Sequence, residues 1–159
     1  MRLTLHTDYA MRVLLHLGAH PEARTSIAEI AETYGVSRNH LMKVVQNLSK
    51  AGLVAAVRGR RGGLALGRPA EQITVGDVVR VTEDVFQLVD CGQCLIAGVC
   101  GLPPVLNQAT RAFLAVLDGH TIADMLHRRS HLGARLAGGR SGAAGRLGPS
   151  SLSERGVLG

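Results

Sequence analysis

Between Ser26 and Leu66 the sequence sets out four features in fixed order. They are a helix with a marked start, a glycine-closed turn, a second helix with one apolar and one polar face, and two short apolar runs around a glycine–arginine tip. Few folds accept that order. Ser26-Ile27-Ala28-Glu29 fits a capping box, in which the serine and the glutamate each satisfy a free amide of the other. Ile27, Ile30, Ala31 and Tyr34 form the buried face of this helix, and Gly35 closes it as a left-handed cap. Gly35-Val36-Ser37 leads into a helix capped by Ser37, with the apolar stripe Leu41, Val44, Val45 and Leu48. At about 100° per residue, Asn39, Lys43, Gln46 and Lys50 fall on the opposite side. Gly52 ends it. Two helices joined by a short turn containing glycine are the signature of a helix-turn-helix. Leu53–Val57 and Leu64–Leu66, around Arg58-Gly59-Arg60-Arg61-Gly62-Gly63, read as a β-hairpin with its arginines at the tip, a wing.

The remainder extends this unit. Residues 7–18 read as a helix with Thr7 as N-cap and Ala10, Val13, Leu14 and Leu17 as its buried stripe. Asp8 lies about 160° from the centre of that stripe. It is either a first-turn acid favoured by the helix dipole and paired with Arg12, or a group free to reach elsewhere. Residues 74–82 read as a short helix. Gly101 to Pro104 interrupt the chain, and a longer helix follows from Val105 to Leu117, with Leu106, Ala109, Phe113, Val116 and Leu117 on one side. Thr121 starts a last helix that ends near Arg129. From Gly133 onward 8 of 27 residues are glycine, which reads as a disordered tail. The fold class is mainly α with a small β-hairpin wing, a winged helix-turn-helix plus a long helix. Four segments result: a DNA-binding unit over 1–70, a connecting helix and cysteine loop over 71–103, the long and C-terminal helices over 104–132, and the tail over 133–159.

The charge is uneven. Residues 1–69 hold ten Lys and Arg against four acids, residues 70–132 hold four against seven, and residues 133–159 hold four against one. A basic front half suits a polyanion. A helix fits the major groove, where Asn39 and Gln46 can pair with adenine and Lys43 and Lys50 with guanine or phosphate. Ser37, Arg38 and His40 stand near the helix start for phosphate and base-edge contacts, and Arg58, Arg60 and Arg61 suit a narrow minor groove. No apolar run reaches the roughly 20 residues of a membrane span. The N-terminus lacks the pattern of a signal peptide, so a cytoplasmic location is expected.

Cys91, Cys94 and Cys100 form C-x2-C-x5-C, and they are the chain's three cysteines. Three thiolates so close repel one another unless a cation or cluster compensates, and zinc and iron–sulfur clusters both favour such sulfur. Both ordinarily take four ligands. The fourth comes from elsewhere in the chain (His120, His127 and His131 qualify by type), from solvent or from another chain. A thioredoxin-like role for the Cys91–Cys94 pair lacks the βαβ setting it needs.

Several stretches together resemble the NsrR-type nitric-oxide-sensing repressors of the Rrf-type winged-helix regulators. These are Leu3-Thr4-Leu5-His6-Thr7-Asp8-Tyr9-Ala10, Tyr34-Gly35-Val36-Ser37-Arg38-Asn39-His40-Leu41, the Val57–Leu64 wing and the three cysteines. The likeness covers roughly residues 1–130. It implies a homodimer joined largely through the long helix near 104–117. It further implies an iron–sulfur cluster, 4Fe–4S in preference to 2Fe–2S, held by Cys91, Cys94 and Cys100, with Asp8 of the partner subunit as fourth ligand. It implies a repressor of a palindromic DNA operator that is released when nitric oxide attacks the cluster. The first two cysteines stand closer together than that pattern usually has them. RirA, an iron regulator of a neighbouring branch, shares text like Val79–Asp84 but commonly lacks the aspartate matching Asp8. In IscR, a cluster-assembly regulator, a histidine stands where this chain has Pro103. The reading is therefore a regulator and not an enzyme. The alternatives are an iron-availability repressor like RirA and a zinc-stabilised protein-interaction module.

Overall fold

The computed structural model describes residues 3–57, 62–83, 86 and 88–127. Six α-helices are described: α1 (Leu5–Ala19), α2 (Ile27–Tyr34), α3 (Arg38–Lys50), α4 (Val75–Thr82), α5 (Leu102–Asp118) and α6 (Ile122–His127). Between α3 and α4 lie β1 (Val54–Val57), β2 (Gly63–Leu66) and a 3-10 turn over Ala70–Gln72. The strands pair antiparallel, with Val54 opposite Leu66 and Val57 opposite Gly63. The expected winged helix-turn-helix is present in its expected order.

The helix starts follow local chemistry. The Ser26–Glu29 capping box is formed in both directions, at 2.8 and 3.2 Å. Gly35 has φ +61°, a conformation glycine adopts without the cost a Cβ would impose. Thr74–Asp77 and Thr121–Asp124 repeat the reciprocal pattern at α4 and α6. At β2's exit a Cβ on Gly67 would run into the Gly52 carbonyl, so this glycine is what lets the wing's base close onto the end of α3.

Two boundaries differ from expectation. The N-cap of α1 is Thr4, whose hydroxyl accepts the Thr7 amide at 3.3 Å, and not Thr7. Thr7 is buried inside the first turn. α5 begins at Leu102, with Pro103 and Pro104 in its first turn. Proline there forfeits no helical hydrogen bond, so the pair starts the helix where a break was expected.

The core joins Ala10, Val13, Leu14 and Leu17 of α1 to Ile30 of α2, Leu41, Val44 and Leu48 of α3, Val54 and Leu64 of the hairpin, Val78 of α4 and Ile122 of α6. α1 is therefore central, packed against α3, α4, α6 and β2. α5 differs in kind. It has 17 residues and not one is buried. A bidentate ion pair from Arg80 of α4 to Asp118, at 2.5 and 2.7 Å, ties down its C-terminal end.

His16 is buried on α1, beside the His20 ring (4.9 Å between centroids) and the Tyr34 ring (5.8 Å). Burial lowers its pKa from 6.5, His20 adds to the effect, and Glu29 opposes it. The folded chain thus holds this proton less readily than the unfolded chain. Stability is expected to fall as pH drops through about 6.5, and His16→Gln should flatten that decline in urea titrations at pH 7.5 and pH 5.5. An unchanged pH slope in the variant would assign the dependence to other groups.

Candidate nucleic-acid interface and cysteine loop

The outward face of α3 forms the first part of the site. Leu41, Val44, Val45 and Leu48 are buried, while Arg38, Asn39, His40, Lys43, Gln46 and Lys50 are all exposed, as is Ser37 just before the helix. The apolar stripe fixes the rotation of the helix and so places the polar row in solvent. Ser37 is the N-cap residue but makes no side-chain capping bond. Its hydroxyl stands at a helix N-terminus, whose free amides and dipole favour a phosphate. Arg58, Arg60 and Arg61 lie outside the described residues; the strands that carry them are in place.

Three further residues join this face. Between α1 and α3 a cavity of about 210 Å³ is lined by Leu5, His6, Tyr9, His40, Lys43 and Val44. The Tyr9 ring stacks on His40 with centroids 6.4 Å apart. His6 Nε2 lies 3.3 Å from the Asn47 side-chain amide. His6 and Tyr9 carry no periodic signal of their own. Met42, 51% exposed in the same row, reads in sequence as an ordinary helical apolar residue.

Asp8 points away from the core, as its helical angle predicts, and its carboxylate meets Arg12 at 2.8 Å. The guanidinium of Arg12 lies 5.9 Å from the centroids of both the Tyr9 and Tyr34 rings, within cation–π range of each. Asp8 is thus held, but at the surface, with its side chain 44% exposed.

The cysteine loop forms the second part of the site. All three thiols are free, with Cys94 exposed and Cys91 and Cys100 half-buried. Successive turns coil the segment: the Cys94 amide donates to the Cys91 carbonyl at 3.3 Å, Ala97 to Cys94 at 3.2 Å and Val99 to Ile96 at 3.1 Å. Among the described residues no three His, Cys, Asp or Glu side chains converge on a point that could hold a metal ion. The donor set nonetheless suits a cluster in kind: three accessible soft sulfurs within ten residues, with no disulfide consuming them. Leu95 and Val99 beside them are 103% and 88% exposed, so the apolar flank of the loop is also uncovered. The backbone carbonyl of His120 accepts the Val75 amide at 2.8 Å, and His131 lies outside the described residues.

The start of α1 and the end of α4 meet on one carboxylate. Glu83 Oε1 accepts the Thr4 amide at 2.8 Å and the Thr4 hydroxyl at 3.0 Å, and it is in hydrogen-bond contact with the Thr7 hydroxyl. Burial pushes the Glu83 carboxyl up, but the bonds from Thr7 and Thr4 outweigh it and hold the group below the usual glutamate range. No helix among the described residues is long and apolar enough to cross a membrane.

Comparison with known proteins places the chain among transcriptional regulators. The family pattern described as "Rrf2: Iron-dependent Transcriptional regulator" matches residues 3–128. The chain is 47% identical over 138 residues to the HTH-type transcriptional regulator NsrR of Bacillus subtilis, an alignment covering 83% of this chain and 94% of that one. It is 44% identical to the regulator of the same name from Bacillus licheniformis, covering 83% and 96% of the two chains. Among solved structures, T. potens IscR superposes with a TM-score of 0.68 at 30% identity, covering 83% of this chain and 90% of that one. CymR, the global cysteine regulator of B. subtilis, superposes at 0.63 with 28% identity, covering 82% and 99%.

Proposed function

The chain belongs to the Rrf2 family of transcriptional regulators, and from that premise we propose that it is a homodimeric repressor whose iron–sulfur cluster senses nitric oxide and, once attacked, releases a palindromic operator. The observation that carries this reading is the trio of free thiols on an uncovered loop, followed by a long helix none of whose residues is fully buried. A 17-residue helix that packs on α4 along one side yet exposes Leu102, Val105 and Val116 is suited to a second copy of itself. Cys91, Cys94 and Cys100 would hold the cluster from one protomer, and Asp8 of the partner subunit would complete it. When bound, the cluster supplies iron that reacts with nitric oxide.

The remaining steps belong to the chain's own residues. To serve as a ligand Asp8 would turn from Arg12, while Arg12 stays over the Tyr9 and Tyr34 rings. α1 packs directly on α3, so a shift of its first turn passes to the recognition row. Asn39 and Gln46 read base edges in the major groove, Lys43 and Lys50 contact guanine or phosphate beside them, Ser37, Arg38 and His40 hold phosphates and base edges at its lip, and Arg58, Arg60 and Arg61 follow the minor groove. Two such rows fit half-sites about 34–36 Å apart, a spacing that tolerates little reorientation.

Asp8→Ala tests the reading. The anaerobically purified variant is expected to show an altered visible spectrum and weaker operator binding at unchanged thermal stability. A wild-type spectrum together with wild-type affinity would remove Asp8 from the ligand set. Separate titrations with nitric oxide and with an iron chelator distinguish this signal from iron availability, and colourless protein carrying zinc would favour an interaction module.

A further inference from the structure

We propose that Glu83 is a positioning residue that couples the cysteine loop to the DNA-reading helix; this rests on the function proposed above. Three contacts converge on one oxygen of this carboxylate, all from the first turn of α1: the Thr4 amide, the Thr4 hydroxyl and the Thr7 hydroxyl. The Thr7 hydroxyl also lies 2.7 Å from that of Thr82, the last residue of α4, and both threonines are buried.

The placement of these contacts gives them their meaning. Glu83 is the C-cap of α4, and the chain reaches Cys91 eight residues later. Thr4 is the N-cap of α1, and its carbonyl accepts the amide of Asp8 at 3.2 Å. One side chain thus clamps the segment that leads to the three thiols onto the turn that presents the fourth proposed ligand. The polar cluster bridges 79 positions of sequence, and a carboxylate with several donors on one oxygen holds position more firmly than an apolar contact of the same size. A displacement of the cysteine loop is carried through Glu83 to Thr4, from Thr4 to the first turn of α1, and from α1 to α3 across their shared core. Glu83 itself touches neither thiol nor DNA; its effect is on how far the two sites move together.

The test compares full-length wild type, Glu83→Ala and Glu83→Gln, each purified anaerobically with its cluster. Iron and sulfide content, visible spectrum and operator affinity are measured before and after addition of nitric oxide. Glu83→Ala is expected to load its cluster with the wild-type spectrum. The ratio of operator affinities before and after nitric oxide should shrink by roughly 5-fold or more, the lower end of ordinary coupling between sites. Glu83→Gln keeps one acceptor oxygen and should recover much of that ratio. A wild-type ratio in Glu83→Ala overturns the proposal. So does loss of the cluster in that variant, which would make Glu83 a residue of cluster retention. If Glu83→Ala does not fold, Thr7→Val removes one donor at constant shape and should narrow the ratio in the same direction; an unchanged ratio there also overturns it. A wild-type protein whose affinity is indifferent to nitric oxide defeats the function proposed above, a result separable from any behaviour of the variants.

Discussion

Cys94→Ala, purified without oxygen, is expected to be colourless, to lack stoichiometric iron and sulfide, and to bind operator about 5- to 150-fold more weakly than the loaded wild type, the usual span of a ligand-linked equilibrium. Cys94 is the exposed middle member of the C-x2-C-x5-C run. Removing it leaves two of the three sulfurs proposed to hold the cluster, and the chain has no other cysteine to replace it. The fold should not notice. None of the three cysteines belongs to the core, so a change in unfolding free energy beyond about 0.5 kcal/mol is not expected. That separation makes the result interpretable: affinity changes while circular dichroism and denaturant midpoint stay put. A brown Cys94→Ala protein with wild-type iron content would show that this cysteine is not a ligand.

The second large effect is expected on the recognition row. Asn39→Ala removes a side chain able to pair with one base, and a lost base contact of this type costs about 1–3 kcal/mol, or roughly 5- to 150-fold in operator affinity, with relaxed preference at one base position. Lys43→Ala should instead weaken binding to all sequences and reduce the slope of affinity against salt by about one unit. Both residues are exposed on a helix whose inner stripe is untouched, so stability should be unchanged. Titrations against operator and scrambled DNA at two salt concentrations separate the two behaviours. Wild-type affinity and salt slope in both variants would mean that α3 does not present this face to DNA.

Much of this was legible in the residues because it is local. The Ser26–Glu29 box, the left-handed Gly35 and the Leu41–Leu48 stripe each follow from interactions within four residues, and each stands where the spacing places it. The start of α1 was misread because Thr7 spends its hydroxyl on Thr82 and Glu83, partners 75 and 76 positions away that no periodicity reports. Thr4 takes the cap instead. The start of α5 was misread because proline disrupts the middle of a helix yet fits its first turn. The cysteine spacing pointed to a ligand set, but the single chain does not gather the three sulfurs on its own, since what would draw mutually repelling thiolates together is the bound group itself. His6 and Tyr9 escaped notice because their significance lies in the cleft where two helices meet.

The Asp8–Arg12 pair has one more consequence. Both side chains are over two-fifths exposed, and a bond between such groups is worth about 0–1 kcal/mol, close to thermal energy. The arginine is the better anchored of the two, since it also lies over the Tyr9 and Tyr34 rings. The carboxylate is therefore moored to a fixed post by a slack line. It can be won over by any modestly stronger electrophile and return unaided when that rival departs, so the exchange is reversible with almost no driving force of its own.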